Sequence, residues 1–194
     1  MIKKLRRTLR KRGFTLLEII ISVFIIALLA GVTLPAVRKY QRAADTKTAA
    51  YEVRSEIMQA KNYALAPGTT KNNLINNYAV YFDLTNRQYR IIENYGITGK
   101  AQDIPGTTQT LPDNLAFEMK TDWRIDKSKT FAIIVFLTGQ NVAIGMDNGD
   151  VSTMYYWNPT ILSGEIKIKN TVDTSEYWIV KIYRDSGLVE VATP

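Results

Sequence analysis

Neither cysteine nor histidine occurs among the 194 residues. Without thiols there are no disulfide frameworks, thiolate nucleophiles or cysteine metal sites. Without imidazole the commonest general base and metal ligand is gone, and with it Ser-His-Asp hydrolases, zincins and facial-triad oxygenases. Carboxylate-only or Ser-Lys chemistry stays formally open. The candidate sets, Asp122 with Asp126 and Glu165 with Lys167, sit in no recognisable motif, and period-2 strand placement makes salt-bridged faces the ordinary reading. No enzyme, cofactor or metal is expected. Internal repeats and low complexity are also missing. What is present is enough chain for one domain with a real core plus an appendage.

The charge is unevenly placed. Lys and Arg total 25 against 18 Asp and Glu, a formal +7. Lys3, Lys4, Arg6, Arg7, Arg10, Lys11 and Arg12 supply seven cations before any acid appears, so the chain from Phe14 onward is formally neutral. A basic leader ahead of an apolar run marks the cytoplasmic side of a membrane segment. The competing reading is a basic arm that binds nucleic acid.

Ile19 to Val37 is nineteen residues without a formal charge, close to the about 20 that cross a hydrocarbon core as a helix. A membrane anchor fits best. The alternatives are a secretory signal, for which Ala27-Leu28-Leu29-Ala30 is a loose match to the cleavage spacing, a permanent unprocessed anchor, and a buried core helix. Glu18 opens the run. A carboxylate deep in a membrane helix costs about 2.5 to 3.5 kcal/mol and is by default a functional group seeking a partner. At the membrane edge that cost falls, so an interfacial role stays open.

Lys11-Arg12-Gly13-Phe14-Thr15-Leu16-Leu17-Glu18, running straight into the apolar helix, resembles the class III signal of type IV prepilins and pseudopilins. The resemblance implies cleavage between Gly13 and Phe14 by a prepilin peptidase on the cytoplasmic side, N-methylation of Phe14, and a role for Glu18 in receiving the N-terminal ammonium of a neighbouring subunit during assembly. The implied partners are the peptidase and methyltransferase, other pilin or pseudopilin subunits, and inner-membrane lipid before assembly.

Pro35 predicts a kink in this helix. Ala43, Ala50, Val53, Ile57, Ala60 and Ala64 then form a narrow apolar stripe flanked by Arg42, Lys47, Arg54, Glu56 and Lys61, until Pro67-Gly68 stops the helix. From Phe14 to Ala66 it would span about 80 Å, half in lipid (to about Val37) and half amphipathic. A small-residue stripe suits close packing on a sheet.

After Pro67 the pattern changes to short strands. These are expected at residues 77–82 and 88–93, paired as a hairpin, and at 115–120, 130–137, 141–146, 151–157, 165–169, 176–184 and 188–192, with a turn at Asp185-Ser186-Gly187. Residues 94–113 read as a variable loop. The expectation is an α+β, pilin-like fold: a leader over 1–13, a long helix over 14–66, and an antiparallel β-sheet head over 67–194, periplasmic or extracellular. Tyr78-Ala79-Val80-Tyr81-Phe82, the Phe136-Leu137-Thr138-Gly139 turn and the closing Ile179 to Val191 hairpin resemble H-type minor pseudopilins of type II secretion and their FimT-like pilus relatives. That resemblance implies a minor subunit supporting protein secretion. The alternatives are a major pilin, or an anchored pilin that binds DNA or a secreted substrate.

Asp147-Asn148-Gly149-Asp150 is read as a hairpin turn before a calcium site, because no later bidentate Glu follows. Met154-Tyr155-Tyr156-Trp157-Asn158-Pro159 is aromatic enough for a partner or stacking surface, although half of a strand faces inward. Trp123 and Trp178 are expected in the core. Some FimT-like proteins bind DNA through a basic C-terminal tail. Gly187 to Pro194 here has no cation and one Glu, which argues against nucleic acid as a partner.

Overall fold

The computed structural model describes residues 14–67, 69–70, 73–74, 77–94, 101–119, 131–138, 143–144, 163–183 and 186–193. Among the described residues one helix, α1 (Leu16–Leu65), precedes twelve strands: β1 (Thr69–Thr70), β2 (Asn73–Leu74), β3 (Asn77–Asp83), β4 (Gln88–Glu93), β5 (Gln102–Asp103), β6 (Gln109–Thr110), β7 (Leu115–Met119), β8 (Phe131–Leu137), β9 (Ala143–Ile144), β10 (Ser163–Asn170), β11 (Tyr177–Tyr183) and β12 (Val189–Ala192). The chain divides into two compact units at Gln41 and Arg42. Within the first, α1 is an exposed apolar helix that continues unbroken through Pro35.

Within the second unit the described strands form two larger sheets and a two-stranded β1–β2 ribbon. One is four-stranded, in the order β12-β11-β10-β7; the other runs β5-β4-β3-β8-β9 with β6 also on β4. All described pairings are antiparallel. The main core lies between the larger sheets and the helix stripe Ala49, Ala50, Val53, Ile57, Ala60 and Ala64. Small side chains there let the helix backbone approach the strands, while Phe82, Ile91, Ile134 and Ile166 fill the space beyond. Phe117 of one sheet meets Phe82 and Tyr89 of the other edge-on, at 5.4 and 5.9 Å between ring centroids. That geometry suits the ring quadrupole and pins the sheets together.

Strands β3 and β8 sit in the middle of the larger sheet and are buried on both faces. Tyr78, Val80, Phe82, Ala132, Ile134 and Phe136 enter the main core, whereas Ala79, Ile133 and Val135 form a second apolar cluster with Tyr81, Phe131 and Leu137. This is why the run Phe131–Leu137 is continuously apolar and does not alternate. The hairpin between β3 and β4 closes on Asp83, whose carboxylate accepts the amides of Thr85 (3.0 Å) and Asn86 (2.8 Å). Those bonds, the Asn86 amide foremost, hold the Asp83 carboxyl below the usual carboxylate range.

Two expectations need correction. The segment 94–113 is more than a variable loop: β5 and β6 both pair with β4, and the buried Thr107 hydroxyl accepts from the Ile91 amide (3.1 Å) and donates to the Ile104 carbonyl (2.8 Å). Two-residue pairings are too short to show a period-2 pattern, so nothing local announces them. The helix stripe is also wider than predicted, since Thr46, Ala49 and Glu56 are buried with it and Ala43 is only half-buried. Sequence pattern places Glu56 on the charged flank, yet it is 9% exposed. The strand expected at 151–157 and most of 141–146 lie outside the described residues.

Candidate functional site

The candidate site is the start of α1. Thr15 is its N-cap: the Thr15 hydroxyl oxygen accepts the Glu18 amide at 3.2 Å, and the Ile19 amide reaches the Thr15 carbonyl at 3.3 Å. Thr-x-x-Glu is the spacing of a capping box, in which the acid at the third helical position also complements the positive end of the helix dipole. In the sequence Thr15 reads only as part of the signal string; the three-residue spacing to Glu18 is the sign of its structural role. Phe14 lies just outside the cap and is 79% exposed, with Glu18 exposed one turn on. The local fold therefore presents the residue whose amine cleavage would create, and a carboxylate, on the same end of one helix.

The apolar helix behind them satisfies its own polar atoms. The Ser22 hydroxyl donates to the Glu18 carbonyl (2.7 Å) and the Thr33 hydroxyl to the Leu29 carbonyl (2.9 Å), which removes two unpaired donors from a surface suited to lipid. From Phe14 to Val37 the large apolar side chains are uniformly exposed.

The remaining candidates disperse. Gly13, Trp123, Asp122, Asp126, the Asp147-Asn148-Gly149-Asp150 turn and the aromatic run at 154–159 lie outside the described residues. Glu165 faces Lys181 across the β10–β11 pair at 3.5 Å, and Lys167 lies 3.7 Å from Glu118 and 4.0 Å over the Tyr177 ring. A 2.6 Å bond from Lys169 draws the Glu118 carboxyl below its usual range, with Lys167 adding to the effect. These are cross-strand ladders. No group of three or more acids suited to a metal occurs among the described residues. Trp178 is half-buried at the core's rim, 6.4 Å from the Tyr51 ring, with the Lys47 ammonium 5.5 Å above it.

One cluster escapes a reading of the sequence. Arg54 and Lys61, seven residues apart and so on one helix flank, both bind the C-terminal hairpin. Arg54 Nε donates to the Val189 carbonyl at 2.9 Å, and Lys61 Nζ to the Ser186 and Gly187 carbonyls at 3.0 and 3.1 Å. The Tyr183 amide donates to the Leu188 carbonyl at 2.8 Å, so by antiparallel alternation Val189 turns its carbonyl away from β11 toward the open edge, where Arg54 meets it. The helix thus covers an edge that would otherwise invite another strand.

Residues 8–34 match the family described as the prokaryotic N-terminal methylation motif. No curated protein sequence matches the chain. Among solved structures, the chain is similar to the minor pseudopilin EpsH of the type 2 secretion system of Vibrio cholerae, at 12% identity and a TM-score of 0.49 over 77% of this chain and 98% of that one. It is also similar to the type IV minor pilin FimU of Pseudomonas aeruginosa, at 11% identity and a TM-score of 0.49 over 79% and 92% of the two chains. A prokaryotic N-terminal methylation motif thus opens one long helix, whose stripe from Ala49 to Ala64 packs on antiparallel sheets. The first half of that helix is exposed, and the helix is long and apolar enough to cross a membrane.

Proposed function

We propose that the chain is a minor subunit of a type II secretion pseudopilus or of a type IV pilus, supporting protein secretion. In this reading prepilin peptidase removes residues 1–13, Phe14 is N-methylated, and the helix to about Val37 holds the subunit in the inner membrane with its head outside. Assembly then draws the apolar helices into a filament core, where Glu18 receives the ammonium of the next subunit's Phe14. The carrying observation is the exposed Phe14 and Glu18 at a capped helix end inside a matched methylation motif. The choice of a minor subunit draws on the resemblance of Tyr78 to Phe82, Phe136 to Gly139 and Ile179 to Val191 to H-type pseudopilins.

Glu18 serves both the helix cap and the proposed ammonium contact, so the test separates them. Glu18→Gln keeps a capping-box partner and removes the charge; Glu18→Ala removes both. Both variants should insert in the membrane, be cleaved at Gly13, and be lost from sheared filaments in which the unaltered chain is a trace component. Normal incorporation of Glu18→Gln would end the assigned role. An intact mass that still contains the leader, in cells with an active peptidase, would end the processing scheme.

A further inference from the structure

We infer that Arg38, Lys39 and Tyr40 form an interfacial collar that binds the headgroups of anionic phospholipid at the outer face of the membrane. This rests on the proposed anchoring and names the lipid class it engages. Phe14 to Val37 is twenty-four residues, about 36 Å of helix, somewhat longer than the about 30 Å hydrocarbon core. The first cations of the chain after the leader follow at once, so they fall at headgroup level. All three side chains are exposed, Tyr40 at 79%. Neither Arg38 nor Lys39 makes an ion pair or a side-chain hydrogen bond among the described residues, in contrast to the paired Arg87, Arg90, Lys167, Lys169 and Lys181. Arg42, a turn further on, is half-buried and is left out of the collar.

Successive helical residues point about 100° apart, so the three side chains fan around the axis instead of lining one face. A second protein surface would be met by one face, whereas a ring around the helix suits a bilayer plane. Cations are depleted on the translocated side of membrane segments, so a pair placed there invites a specific partner. Phosphate oxygens accept from a guanidinium or an ammonium, and a tyrosine ring settles at the same depth. Each cation near an anionic surface is worth about a factor of five in association, so the pair is worth about 25-fold.

The experiment uses the full chain in detergent, titrated with phosphatidylglycerol or phosphatidylcholine and followed by native mass spectrometry. Arg38→Gln with Lys39→Gln should lower the preference for phosphatidylglycerol by about 25-fold relative to the unaltered chain, while the charge-keeping pair Arg38→Lys with Lys39→Arg and the head control Lys167→Gln should leave it within about twofold. Comparing variants cancels the leader's own seven cations. An unchanged preference in the double Gln variant overturns the collar. So does inorganic phosphate that displaces the lipid at equal concentration, which would make this a free-anion site. Flotation with phosphatidylcholine vesicles reads the anchor separately: a chain that floats but shows no headgroup preference refutes the collar alone, and one that does not float refutes the anchoring as well.

Discussion

Glu56 lies on the core side of α1 at 9% exposure, and its Oε1 has no hydrogen-bond partner. Burial alone raises its carboxyl above the ordinary 4.5. Tyr89 and Glu52 share its surroundings: burial first, then the negative charges of Glu52 and Glu56, push the Tyr89 phenol well above its usual range. A buried acceptor left unpaired costs about 1–3 kcal/mol, more when charged. Glu56→Gln keeps the shape and removes the charge, so it should stabilise the head by about 1 kcal/mol at pH 7, or about 2–4 °C in midpoint for a unit of this size. Linkage sets the sign with pH. Because the folded state holds the Glu56 proton more tightly than the unfolded chain does, its favourable contribution is complete below 4.5 and is lost as pH rises through the elevated folded value. The gap between the Glu56→Gln variant and the unaltered chain should therefore be small at about pH 4, open as pH rises, and stay flat once Glu56 is ionised. Guanidinium unfolding of the full chain in detergent, followed by tryptophan fluorescence, measures it. Destabilisation by Glu56→Gln at about pH 7, or a gap equal at about pH 4 and pH 7, would refute the reasoning.

Two further outcomes follow from side chains that the helix commits to its surroundings. Arg54→Met with Lys61→Met should leave the helix formed yet lower stability by about 1–3 kcal/mol, with hydrogen-exchange protection lost first in the hairpin Tyr177 to Ala192, since three carbonyls lose charged donors. Uniform loss of protection across both sheets would show instead that the clamp is not local. Thr15→Ala removes the N-cap and should cost the first turn of α1 about 1 kcal/mol, seen as faster exchange at Leu17, Glu18 and Ile19. Unchanged exchange there would mean that the cap contributes nothing to the turn that presents Phe14.

Much of this molecule is local chemistry and can be read from neighbours in the chain. The charge step at Gly13 and the apolar run behind Glu18 are properties of consecutive residues, and the Thr15-to-Glu18 cap lies within one helical turn. The β3–β4 hairpin is equally legible, because Asp83 and Asn86 make a turn from residues three apart, and the β10 and β11 alternation marks one buried face. What the chain alone does not show depends on which distant segment covers each group. Glu56 and Arg54 look alike in sequence, two charges flanking an Ala-rich stripe. Only the packing of the sheets on that helix buries the one without a partner and hands the other a carbonyl 135 residues away. The same holds for β5 and β6, whose few bonds are supplied by β4, and for the division of the head into two larger sheets and a two-stranded ribbon. Short-range hydrogen bonding and hydrophobic period are properties of adjacent residues, whereas desolvation is a property of whatever the folded chain brings on top.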